Sequence, residues 1–225
     1  MQNEIRKSLH TQRFSYNTEE YPFKDAIESI LGVRLEDLHK FLGHYDVFDR
    51  TSDQSTLAHK VFYANFENII KPIYNSFITG VIANIVHTDF YYQLVPTFRI
   101  GLPGNKFVGE FHTDTKYNHQ SYEVNFNLGL ANYTGDAALR SQKTPGSTDF
   151  ILIECPYGEV FSFDHIDCLH GSDPNTSDQT MVSFDFRLAI KDLYIDTPAK
   201  SINVGTLFKP GSYFSAQPVS TKTKS

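Results

Sequence analysis

A mainly β chain of jelly-roll type, with helices packed on its outside, is the fold this sequence predicts, and three observations carry the prediction. Nineteen Phe and thirteen Tyr with no Trp supply an aromatic-rich interior suited to strands. Short apolar runs broken by Gly, Pro and Asn recur from about residue 90 to 190. Ahead of them, apolar residues fall at helical spacings. With 225 residues the chain suits one functional domain with a core of its own. We read residues 1–88 as a helical extension packed on the barrel, 89–196 as the β core and 197–225 as a tail.

In the first region, Phe23 to Leu31 reads as a helix closed by Gly32, and Leu35 to Leu42 as another closed by Gly43. Ser55-Thr56 offers an N-cap to a longer segment carrying Leu57, Val61, Phe62, Phe66, Ile69, Ile70 and Ile73. Pro72 should bend or interrupt it before Phe77, Val81, Ile82 and Ile85 continue the apolar series. Strands are expected over 93–100 and 106–112, joined by the turn signal Gly101-Leu102-Pro103-Gly104-Asn105. The run 122–128 alternates, with Val124, Phe126 and Leu128 on one face and Glu123, Asn125 and Asn127 on the other. Further strands are expected at 149–154, 159–163 and 181–190. The tail, rich in Ser, Thr, Lys and Pro, reads as irregular, with its last ten residues disordered.

Twenty Lys+Arg against twenty-six Asp+Glu give a net charge of −6 and a pI near 5.8. This balance, without a basic run, argues against a nucleic-acid partner. No unbroken run of about 18 apolar residues suggests a membrane span. Cys155 and Cys168 form neither a disulfide framework nor a Cys-x-x-Cys pair, and Met1-Gln2-Asn3-Glu4-Ile5-Arg6 lacks the apolar stretch expected of a signal peptide. A cytoplasmic protein is the expectation.

The chemistry is carried by Glu110-Phe111-His112-Thr113-Asp114 and, far downstream, Cys168-Leu169-His170-Gly171. Residues two apart on an extended strand point to one side, so His112 and Asp114 would face the same site. His170 can return beside them after several strands. Two imidazoles and one carboxylate, with open positions opposite, are the ligand set of non-haem Fe(II) oxygenases. A second His-x-Asp, His165-Ile166-Asp167, lies too close to His170 for an added strand to close a triad. Hydrogen-bonded core histidines remain the plain alternative for His112 and His170.

Wider patterns accompany this constellation: Pro96-Thr97-Phe98-Arg99-Ile100, Val108-Gly109-Glu110-Phe111-His112-Thr113-Asp114, Tyr117-Asn118-His119, Glu123-Val124-Asn125-Phe126, Phe163-Asp164, His170-Gly171 and Val182-Ser183-Phe184-Asp185-Phe186-Arg187. Together, over about residues 90–190, they resemble the Fe(II)/2-oxoglutarate-dependent oxygenase superfamily, and within it the group resembling oxygenases of streptomycin biosynthesis. The resemblance implies a double-stranded β-helix of cupin-like type, Fe(II) held by His112, Asp114 and His170, and 2-oxoglutarate and O₂ as co-substrates. It further implies oxidation of an unactivated C–H, with 2-oxoglutarate and O₂ converted to succinate and CO₂. Many members place an Arg about ten residues after the distal His; here Met181 stands in that region. Arg187 is the first candidate to hold the far carboxylate, with Ser183 on the same strand face, and Arg99 is its rival. Arg187 paired with Asp185 is the plain alternative.

Asn125 is a candidate for the co-substrate, and Tyr117, His119, Glu123 and Asn127 for the substrate. An exposed polar strand face is the alternative for the inward-reading residues. Asp164 and Asp167 are expected to support a metal histidine. A small-molecule substrate, such as an amino acid or a natural-product intermediate, suits the short chain. A protein-side-chain hydroxylase, and a cupin-like metal protein without turnover, are the other readings.

Overall fold

The computed structural model describes residues 3–42, 54–202 and 205–221. Two antiparallel sheets face each other. The larger is built from β1 (Gln12–Ser15), β7 (Glu159–Phe163), β4 (Glu123–Ala131) and β9 (Met181–Ile190) in that spatial order. On the far edge of β9 lie β2 (Phe90–Tyr92) and β3 (Thr97–Gly101), one after the other along its length. The smaller sheet orders β6 (Phe150–Ile153), β5 (Leu139–Gln142) and β8 (His170–Ser172). A single bridge between His112 and His170 continues it.

Alternation on the central strands gives the large sheet two different faces. Val124, Phe126 and Leu128 of β4 and Val182, Phe184, Phe186 and Leu188 of β9 point outward beneath the helices, all of them buried. The expected alternation of β4 therefore holds. The opposite face carries Asn125, Asn127, Ser183, Asp185 and Arg187, and it too is buried, because it lines the cavity between the sheets or the contacts beneath it.

The helices are α1 (Glu4–Ser8), α2 (Phe23–Leu31), α3 (Leu38–Leu42) and the long α4 (Leu57–Val86). Gly32 closes α2 at φ 69°, a left-handed conformation that costs glycine little. Leu35–Asp37 forms a 3₁₀ turn leading into α3, while Gly43, its expected terminator, lies outside the described residues. Thr56 caps α4 by accepting from the His59 N–H. Pro72 does not break this helix. A π turn at Phe66–Ile70 immediately precedes it and absorbs the missing N–H and the ring, and a second π turn follows at Ile78–Ile82.

With 30 residues and a mean hydropathy of 1.4 in its most apolar window, α4 has the length and composition of a membrane span. Its sequence shows no unbroken apolar run, because Lys60, Glu67 and Lys71 occupy one side. The other side lays Phe62, Phe66, Ile70, Tyr74, Phe77, Ile78 and Ile82 on the large sheet. Phe62 stacks on Phe98 at 4.4 Å between ring centroids, and Phe184 and Phe186 meet Phe23, Tyr74 and Phe77. Each such ring contributes roughly 1.5–3 kcal/mol by leaving water, so this face is the main bond between helices and sheet.

Three expectations need correction. The N-terminal region is not purely helical: β1 pairs with β7 from Gln12↔Ser162 to Ser15↔Glu159, so the β body begins well before residue 89. Residues 106–112 form no regular strand; only His112 bridges β8. The tail is irregular but well packed through residue 221. Phe208 and Phe214 are fully buried, and Val219 exchanges both backbone hydrogen bonds with Phe90. Aromatic anchors within a Ser/Thr/Lys-rich composition are the reason.

Candidate metal centre

The extended backbone at Thr113 (φ −105°, ψ 148°) turns His112 and Asp114 to the same side, and a 3₁₀ turn, Asp114–Tyr117, begins at the acid. His170 opens β8 directly opposite, with His112 N–H donating to the His170 carbonyl at 2.9 Å and the reverse bond at 2.8 Å. One ligand atom from each of the three lies within 4.8 Å of the others. Asp114 Oδ1 is 3.3 Å from His112 Nε2 and 3.3 Å from His170 Nε2. Gly171 is required beside His170: a Cβ there would lie 2.8 Å from the Phe111 ring.

Hydrogen bonding fixes which nitrogens face the site. His112 Nδ1 donates to the Glu110 carbonyl at 2.7 Å, and His170 Nδ1 to the Cys168 carbonyl at 3.1 Å. A carbonyl only accepts, so Nδ1 carries a proton and Nε2 is the ring nitrogen turned to the site. Burial works against ionisation of Asp114, but the Arg187 guanidinium and the two imidazoles outweigh it and hold the carboxyl well below its usual range. The Nε2 atoms of the two rings and Asp114 Oδ1 thus converge on one point, an arrangement that a bound cation would stabilise. The donor set fits a divalent metal of intermediate hardness, with Fe(II) among them. Tyr117 and Phe163 stand edge-on to His112 and His170 at 4.7 and 4.9 Å, restricting ring rotation.

The triad opens into a cavity of about 860 Å³. Across its floor runs a chain of alternating charges. Arg99 Nε meets Asp185 Oδ1 at 2.8 Å, Arg187 Nη1 meets Asp185 Oδ2 at 2.5 Å, and Arg187 Nη2 meets Asp114 Oδ2 at 2.8 Å. Burial again opposes ionisation of Asp185, and the two guanidinium groups depress its pKa despite it. Strand register explains the cluster: Thr97 stands opposite Asp185 and Arg99 opposite Ser183, while Asn125 and Asn127 stand opposite Arg187 and Asp185. Asn125 Oδ1, Asn127 Nδ2, Ser183 Oγ and Arg187 Nε are buried there with no hydrogen-bond partner. Buried polar atoms are ordinarily paired, so this group marks a place for a polar ligand.

The streptomycin biosynthesis protein StrG of Streptomyces griseus is 32% identical over 202 residues, spanning 90% of this chain and 96% of its own length. The chain belongs to the StrG family. Among solved structures, apo ThoJ, described as a non-heme monooxygenase, shares the fold with a TM-score of 0.50 at 13% identity, over 83% of this chain and 77% of that one. SnoK, described as a non-heme alpha-ketoglutarate-dependent carbocyclase from nogalamycin biosynthesis, aligns at 12% identity and a TM-score of 0.46, over 84% of each chain. No protein-family description matches the sequence.

Other site expectations fare unequally. Tyr117, His119, Asn125 and Asn127 line the cavity with Arg99 and Arg187. Glu123 does not. It is fully buried, with Oε2 on His119 Nδ1 at 2.7 Å and Oε1 accepting the Gln120 N–H at 2.7 Å, so it aims His119 instead of meeting a ligand. Ser183 sits on the floor strand behind Arg99. Asp164 and Asp167 do not support His112 or His170, whose Nδ1 atoms are held by backbone carbonyls. Both acids bind Arg6 instead. His165 stays outside the triad; its carbonyl accepts the Asp114 N–H at 2.8 Å while its ring is fully buried. Met181 is not a cavity residue but fills an apolar cluster with Phe107, Tyr133 and Leu139.

Two contributions escaped the sequence reading. Asp185 was visible only as a partner for Arg187, yet it joins both arginines; the Ser183-x-Asp185-x-Arg187 period was the available signal. The tail supplies Ile202, Thr206, Ser212 and Tyr213 to the cavity wall, and nothing in its composition announced this.

Proposed function

We propose that this StrG-family protein is an Fe(II)- and 2-oxoglutarate-dependent oxygenase acting on a small polar metabolite. The observation that carries the reading is the convergence of His112 Nε2, His170 Nε2 and Asp114 Oδ1 on the wall of the 860 Å³ cavity. The strand order of the two sheets, with the triad between the 112 segment and β8, suits a double-stranded β-helix. His112, Asp114 and His170 would hold the metal, which when bound supplies the oxidising chemistry with O₂ and 2-oxoglutarate.

The chain's own residues do the rest. Asp114 and Asp185 balance Arg99 and Arg187, so the cavity floor is neutral before loading, and a divalent metal leaves a charge that a dicarboxylate matches. The unpartnered Asn127 Nδ2 belongs to a residue that lines the cavity with Arg99, and it offers a donor to a carboxylate. Arg99 and Arg187 both line the cavity; Arg187 has both Nη atoms on Asp114 and Asp185, and Arg99 is the anchor to test first. His119, held by Glu123, and Tyr117 face the remaining space and would orient the substrate. A natural-product intermediate accords with the name of the S. griseus relative.

Succinate formation by the purified protein, supplied with Fe(II), 2-oxoglutarate and candidate metabolites, tests this reading. His112→Ala and Asp114→Ala should abolish it while the far-UV spectrum stays native. Turnover retained in either metal-controlled variant would overturn the assignment. Arg99→Met should raise the 2-oxoglutarate requirement more than Asn125→Ala does; the reverse ranking would remove Arg99 as anchor.

A further inference from the structure

We propose that Arg187 is a positioning residue, which holds Asp114 so that a single carboxylate oxygen faces the two imidazoles. The inference rests on the reading that His112, Asp114 and His170 bind a divalent metal.

The two oxygens of Asp114 are already divided between tasks. Oδ1 lies equally far, 3.3 Å, from both Nε2 atoms, while Oδ2 turns away and accepts from Arg187 Nη2 at 2.8 Å. Asp114 is 3% exposed, so with Arg187 in place water has little access to that second oxygen. Without the guanidinium, the carboxylate would be free to rotate about χ2 and present either oxygen, or both, to a metal. Asp114 would also keep one charged, desolvated oxygen unpaired.

Arg187 is itself held against rotation. Its Nη1 is engaged by Asp185 Oδ2, and Asp185 Oδ1 is engaged by Arg99 Nε. Its backbone sits within β9 between β4 and the β2 side, and its N–H donates to Gln93 Oε1 at 3.1 Å. Only a planar, forked cation reaches two carboxylates in this way; the ammonium of Lys is a single point of charge. Outer partners that orient a ligating carboxylate commonly matter about 10–100-fold to metal affinity.

The test is Co(II) titration of the metal-free protein, followed by visible absorption of the Co(II) form and thermal melting. The wild type, Arg187→Lys, Arg187→Met, Asp185→Asn and His112→Ala would be compared. Arg187→Lys and Arg187→Met should weaken Co(II) binding by about 10–100-fold and alter the visible bands. Asp185→Asn, which loosens Arg187 but leaves its Asp114 contact, should lose less. If the Met variant does not fold, the Lys variant, which keeps the buried charge, carries the test. Wild-type affinity and bands in a folded Arg187 variant would overturn this inference alone. No Co(II) binding by the wild type, or none lost in His112→Ala, would overturn the metal-site reading beneath it.

Discussion

Replacing Arg6 with Met should destabilise the whole β body, although Arg6 belongs to a five-residue helix at the start of the chain. Its side chain is 3% exposed and makes three contacts to distant segments. Nε meets Asp164 Oδ1 at 2.7 Å, Nη2 meets Asp167 Oδ2 at 2.9 Å, and Nη1 donates to the Ser121 carbonyl. An exposed pair would contribute at most about 1 kcal/mol. Here Asp164 is buried too, and it would keep only the Ile166 and Asp167 N–H donors after the substitution. Removing one partner of such a buried pair costs about 3–5 kcal/mol, which for a chain of this size lowers Tm by roughly 6–20 °C. Urea unfolding of the metal-free protein measures the loss. Arg6→Met combined with Asp164→Asn should recover part of it, because the second change removes the stranded charge. A loss below about 1 kcal/mol in the single variant would refute the argument that this cluster is desolvated.

Two further outcomes follow from burial. Cys155 and Cys168 are fully buried and burial pushes both thiols up to about 12, so neither should react with an alkylating reagent at pH 8 until the protein unfolds; rapid labelling of the native form would contradict this. Burial also pushes the His165 imidazole well below its ordinary 6.5, outweighing the pull of Asp114, so below that pH the unfolded chain binds a proton the native one refuses. Stability should therefore fall with pH below 6.5, by up to about 1.4 kcal/mol per pH unit from this one group. His165→Leu should flatten the slope of ΔG against pH, and an unchanged slope would show that His165 is hydrated.

Much of this architecture was legible along the chain because its signals are local. Gly32 after a helical run, Thr56 before one, and the alternation from Glu123 to Leu128 each depend on a few neighbouring residues, and each element formed as expected. The His112/Asp114/His170 set was legible as well, since spacing of two on extended backbone already places two ligands together. Other features were not. The fate of Glu123 and of Asp164 depended on which residue lies across space, His119 in one case and Arg6 in the other. Alternation puts Glu123 and Asn125 on the same side of β4, yet the His119 ring covers one of them and leaves the other in the cavity. Tail composition suggested disorder because two buried Phe in a polar segment hardly alter an average.

By itself, then, the order of residues determined the helices, the alternating central strands and the identity of three potential ligands, because backbone geometry turns short spacings into directions. Only the tertiary structure decided that Arg187 faces Asp114, that Arg99 and Asp185 complete a neutral floor, and that the tail walls the cavity. These are pairings between segments as much as about a hundred residues apart. Their energies come from desolvation and charge proximity, and neither exists until the two sheets close on each other.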